Sequence, residues 1–114
     1  MTPPDHDHPV HLLRLLGHLY IQHGQAKRGV VLLLIAARLD PGNVGVWRGL
    51  AHAFLEDGAP DRAIAAIKRL RQMEKGDDPV LDLLMARALW LSGRPLEARQ
   101  FLRDFLERRD EASA

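Results

Sequence analysis

Six histidines are the side chains best suited to chemistry in this chain: His6, His8, His11, His18, His23 and His52. A metal site wants three or four converging ligands. His6 and His8 fall in a proline-rich leader, while His11 and His18 stand seven residues apart, two turns along one helical face and too far for one ion unaided. No His-Glu-x-x-His occurs, so no metal site is expected. There is no cysteine, which excludes disulfides, thiol catalysis and thiolate ligands. Ser92 and Ser113 are the only serines, and the glycines are scattered singly instead of gathered into a phosphate loop. The chain is expected to be no enzyme and to hold no cofactor.

The charges point the same way. Sixteen Lys and Arg against fifteen Asp and Glu leave a net charge of +1. A nucleic-acid surface needs a basic excess gathered on one face. Lys68, Arg69 and Arg71, and farther on Arg99, Arg103, Arg108 and Arg109, are interspersed with Glu74, Glu97, Asp104 and Glu107. Solvated helix faces with pairs one turn apart account for that pattern, and no nucleic-acid partner is expected. What remains is recognition. Arginines and histidines recur among apolar residues at Arg14, His18, Arg48, His52 and Arg87, and such a mixture binds something only if a scaffold lines it up.

That scaffold is legible as a repeat. Gly24, Gly58 and Gly93 stand 34 and 35 residues apart. Seven residues before each comes a small residue (Gly17, Ala51, Ala86), and five residues after each another (Gly29, Ala63, Ala98). Four before each comes a large one (Tyr20, Phe54, Leu89), and nine after each an aliphatic one (Leu33, Ile67, Leu102). Small residues let two helices approach, and the large neighbour one turn away fills the space beside them. The glycines fall where a left-handed residue ends a helix. Pro60 and Pro95 follow in first-turn positions, and Asp78-Pro79 reads as an N-cap with proline behind it. Asn43 is a second candidate cap, after the turn cluster Asp40-Pro41-Gly42. Helices are expected near 10–22, 25–39, 44–56, 60–74, 79–91 and 95–109.

This pattern resembles the tetratricopeptide repeat, a helical hairpin of about 34 residues. The fold is expected to be all-α: three tetratricopeptide-type hairpins in a short right-handed α-solenoid. Residues 1–9 are expected to be a disordered leader, 10–109 one domain (10–43, 44–78, 79–109), and 110–114 a flexible tail. Three departures stand out. Asp82 occupies the position held by Leu13 and Trp47, where a large apolar residue belongs, Leu70 and Phe105 replace a small residue, and the linker 75–79 is one residue longer than its predecessor. Repeats two and three are therefore expected to stack less regularly than one and two.

Stacked hairpins curve, and their first helices line the concave side. Register places His11, Arg14, His18, Ile21 and Gln22 there from repeat one. Repeat two contributes Gly45, Arg48, His52, Leu55 and Glu56, and repeat three Val80, Leu83, Arg87, Trp90 and Leu91. Such a lining suits an extended or helical peptide better than a small ion. The unbroken run Val30 to Ala37 lacks the polar break of a one-faced helix. It reads equally as exposed apolar surface or as a helix sandwiched between neighbours. At eight residues it is far short of the ~20 that span a bilayer, so no membrane insertion is expected, and no signal-peptide pattern opens the chain. Phe101 and Phe105 on the last helix are candidates for an outer-surface contact.

The stretch Gly17-His18-Leu19-Tyr20-Ile21-Gln22-His23-Gly24-Gln25-Ala26-Lys27-Arg28, with the aliphatic helix and Ala37-Arg38-Leu39-Asp40-Pro41 after it, resembles the small YscY-type (SctY) chaperones of bacterial type III secretion. The resemblance implies a protein of the bacterial cytoplasm that binds and stabilises a small secreted export component, YscX-like, one to one. The pair would engage the export-gate protein at the inner-membrane export apparatus. The client would use the concave groove and part of the outer surface. Translocator chaperones of the SycD type, needle-subunit chaperones of the YscG type, and a generic tetratricopeptide adaptor outside secretion are the alternatives.

Overall fold

A computed structural model describes residues 9–74 and 78–113. Six helices follow in order: α1 Pro9–Gln22, α2 Ala26–Leu39, α3 Val44–Glu56, α4 Pro60–Met73, α5 Pro79–Leu91 and α6 Pro95–Ser113. Their bounds lie within one residue of the expected ones except at the end of α6. That helix runs on to Ser113, four residues into the segment expected to be a tail. Glu107 to Ala112 contains no glycine or proline to stop it, and Arg108 is tied inward, as described below.

Each hairpin turns in the same way. Gly24, Gly58 and Gly93 have φ of 76°, 72° and 80°. In the first turn the Gln25 N–H donates to Tyr20 O (2.8 Å) and the Gly24 N–H to Ile21 O (3.1 Å), and the other two turns repeat this pair of bonds. This is the Schellman closure, which satisfies carbonyls that the end of a helix would leave open. Both expected caps form: the Asn43 side chain accepts from the Val46 N–H at 3.2 Å and Asp78 from the Val80 N–H at 3.0 Å.

The core runs through all three hairpins, with Leu33, Leu50, Ile67 and Leu70 fully enclosed. Within the first hairpin, α1 and α2 meet at Gly17 and Gly29. A Cβ added at Gly29 would lie 2.7 Å from Ile21 Cγ1 and 2.9 Å from the Gly17 carbonyl oxygen, so neither helix could come as close with a side chain there. Between hairpins, α2 packs on α3 and α4 on α5. In addition α1 lies against α3, a closer approach than α3 makes to α5. Gly45 faces α1 and Gly49 faces α2 without a side chain of their own. A Cβ at Gly45 would overlap the Arg14 guanidinium, and one at Gly49 would sit 3.1 Å from Leu33 Cδ1. The same positions in α5 hold Val80 and Leu84, which carry side chains where α3 has none. Residues 75–77 of the longer second linker lie outside the described residues, as do His6 and His8.

Asp82 is 1% exposed and is the one buried charged residue among the described residues. Its carboxylate receives Arg71 of α4 on Oδ1 and Arg108 Nη1 of α6 on Oδ2, the latter at 2.6 Å. Arg71 also lies over the ring of Phe101, 5.7 Å from its centroid. The position where a large apolar residue was expected thus holds the centre of an ion triad joining three helices. Leu70, at a position where a small residue was expected, is fully buried, and Phe105 at the matching position of α6 is half-buried.

Candidate functional site

The side chains expected on the concave side come from α1, α3 and α5, and the structure brings the α1 and α3 members together. A groove of about 400 Å³ is lined by Arg14, Leu15 and His18 from α1 and by Gly45, Arg48, Gly49 and His52 from α3, with Leu33 of α2 at its floor. The two glycines that let the hairpins close up also leave this groove open above them. Cationic and imidazole groups stand on its walls and hydrocarbon lies at its base, an arrangement suited to a segment with an apolar face and acceptors along its edges.

Two arginines around the groove are already paired with carboxylates. Arg48 donates to Glu74 Oε1 at 2.5 Å and to Asp78 Oδ2 at 3.3 Å. Arg87 on α5 donates to Glu56 Oε1 on α3 at 3.2 Å. These exposed bridges link α3 to the elements after it, and a ligand carboxylate reaching Arg48 or Arg87 would compete with them. Arg14 Nη2 lies 3.5 Å from Nδ1 of His11. His52 has its pKa lowered, first by burial and then by the nearby Arg87, so its imidazole tends toward the neutral form in the groove.

The remaining expected residues divide. Gln22 and Glu56 are exposed, as are Val80, Leu83, Arg87, Trp90 and Leu91 along α5. Ile21 is half-buried against the Gly29 side of its own hairpin. Leu55 is 4% exposed and belongs to the core, so it offers no surface to a partner. This corrects its placement in the groove: one residue after Phe54, it still falls on the inward-facing arc of α3. Phe101 and Phe105 are half-buried, with Leu102 and Leu106 exposed beside them.

A second cavity was not anticipated. Val31, Leu34, Ile35, Ala37 and Arg38 of α2, with Trp47 of α3, line an open hollow of about 550 Å³. Trp47 is held there by its Nε1–H, which donates to Pro41 O at 2.9 Å, and Arg69 lies 5.8 Å from its ring centroid. The signal was the unbroken run Val30 to Ala37. Val30, Leu33 and Ala36 face the core, whereas Val31, Leu34 and Ile35 are exposed, so the helix packs against α1 and α3 and still leaves an apolar face open. No helix among the described residues is long and apolar enough to cross a membrane.

The sequence model of the tetratricopeptide repeat matches residues 20–84 and 54–114, and the chain belongs to that family. Among solved structures, MamA from AMB-1 is similar with a TM-score of 0.81 and 24% identity, over 94% of this chain and 63% of that one. MamA from MSR-1 is similar with a TM-score of 0.79 and 26% identity, over 96% of this chain and 63% of that one. The chain thus spans less than two thirds of the length of either. No curated protein matches it.

Proposed function

We propose that this chain is a protein-binding scaffold that holds a helical or extended segment of a polypeptide client in its concave groove. The observation that carries the reading is the groove between α1 and α3, with Leu33 at its floor and Arg14, His18, Arg48 and His52 on its walls. Val80 and Leu83 on α5 are exposed apolar residues as well. Apolar side chains of the client would fill the floor, and its polar groups would set register against the arginines.

The narrower reading is a YscY-type chaperone that keeps a YscX-like export component competent for secretion and delivers it to the export gate. Its support is the sequence resemblance of Gly17 to Arg28 and Ala37 to Pro41, and it stands apart from the scaffold reading.

Isolation of the protein from its own cells, with its bound material weighed by mass spectrometry, tests both. The scaffold reading expects a polypeptide client that survives high salt. It also expects the client to be lost from an R14E/H18E variant of unchanged helicity. The narrower reading requires in addition one small helical client in equal amount. Bound nucleic acid that dissociates steeply with salt would sink both readings.

A further inference from the structure

Each joint between successive hairpins is made of two half-faces that recur in register. The leading half belongs to the first helix of the incoming hairpin. It is Val46, Gly49, Leu50 and Ala53 on α3, and Leu81, Leu84, Met85 and Ala88 on α5, at the same distances before Gly58 and Gly93. The trailing half belongs to the second helix of the hairpin before it: Leu33 and Ala36 on α2, Ile67 and Leu70 on α4. Apart from half-buried Gly49, all of these are buried.

Among the described residues, the first and last helices carry the same half-faces largely exposed. Counting back from Gly24, the leading half on α1 is Leu12, Leu15, Leu16 and Leu19, every one exposed, Leu12 at 55%. Counting forward from Gly93, the trailing half on α6 is Leu102 and Phe105, with Leu106 beside them at 51%. On α5, Trp90 sits at the register position of buried Leu55 and is 63% exposed. Exposed apolar surface of this kind on both ends marks an interaction surface.

We propose that the two ends mate between copies of this chain: α1 of one copy seats on α6 of the next, head to tail, as a further joint of the type the chain already makes twice. The occupant is a second copy because the ends supply the two different halves of one joint. Their pairing also stays matched where the internal joints differ. The Arg71–Asp82 contact across α4 and α5 has Leu106 and Leu13 as its register counterparts at the ends, so apolar meets apolar there. A contact between two different surfaces does not close on itself by symmetry, and it adds subunits in a row.

The test is sedimentation of the full chain from micromolar to near-millimolar concentration, with two exposed-site variants. Wild type is expected to grow past the mass of a dimer as concentration rises. L12E/L19E and L102E/L106E are each expected to stay monomeric with unchanged helicity. Mixed, they should form a one-to-one pair that grows no further, because each keeps one intact end. If glutamates lower the helicity of either variant, the serine versions serve in its place. A wild type that stays monomeric throughout overturns the proposal whatever the variants do. So does a dimer that L12E/L19E breaks and L102E/L106E leaves whole, since that would be two α1 faces back to back.

Discussion

The joint between the first and second hairpins and the joint between the second and third solve one packing problem by opposite means. At the first, side chains are missing. Gly45 and Gly49 admit Arg14 and Leu33, and the helices close up on hydrocarbon. At the second, Val80 and Leu84 occupy those places and a charge is buried instead, with Asp82 held by Arg71 and Arg108. A glycine contact is tolerant, because almost any aliphatic chain can lie over it. A buried carboxylate is exacting, because it is stable only while its partners stay in place. The first joint is close because side chains are absent, and the second depends on a carboxylate with two partners.

The largest effect expected from breaking this contrast is at Asp82. Asp82→Ala leaves Arg71 facing a low-dielectric gap and should cost about 3–5 kcal/mol, toward the lower figure because both arginines keep some contact with water. Urea unfolding followed by circular dichroism measures it, and a loss under about 1 kcal/mol would reduce the triad to the rank of a surface pair. The triple change Asp82→Leu, Arg71→Met and Arg108→Met, which leaves no member of the triad unpaired, sharpens the point. It should recover most of that loss, since apolar replacement of a buried ion pair is often neutral or stabilising.

Next comes Gly49→Leu, which gives the first joint the residue found at the second. The added side chain meets Leu33 and should cost about 1–3 kcal/mol by overpacking. No change in the unfolding midpoint would mean that α2 and α3 can separate freely. The smallest effect is at His52, between the two joints. Its pKa is lowered from 6.5 by burial and by Arg87, so the folded state binds a proton less readily than the unfolded chain. The stability this gives is fully present above pH 6.5 and is lost as pH falls through the lower folded value. A histidine NMR titration should place His52 below 6.5, and His52→Gln should remove its share of the acid sensitivity.

Most of the fold could be read from the sequence because its determinants are local. The three glycines at positive φ, the caps at Asn43 and Asp78 and the prolines behind the turns each act within a few residues. The α1 and α3 side of the groove was also legible, since helical register alone puts Arg14, His18, Arg48 and His52 on one side. What escaped depends on distant partners. Asp82 stood out as a misfit, but nothing near it in sequence announces Arg71, 11 residues back, or Arg108, 26 residues on. Leu55 escaped because burial at the edge of a helical face is decided by how far neighbouring helices wrap around it. The α2 run announced hydrocarbon without saying which half would be covered.

Gly49 does two jobs with no side chain. It sets how near the second hairpin lies to the first, and it leaves the space a ligand would occupy above Leu33. Any atom added there presses on the joint and narrows the groove at once. A change at this position that altered what the groove admits would therefore also alter how closely α3 lies against Leu33 of α2.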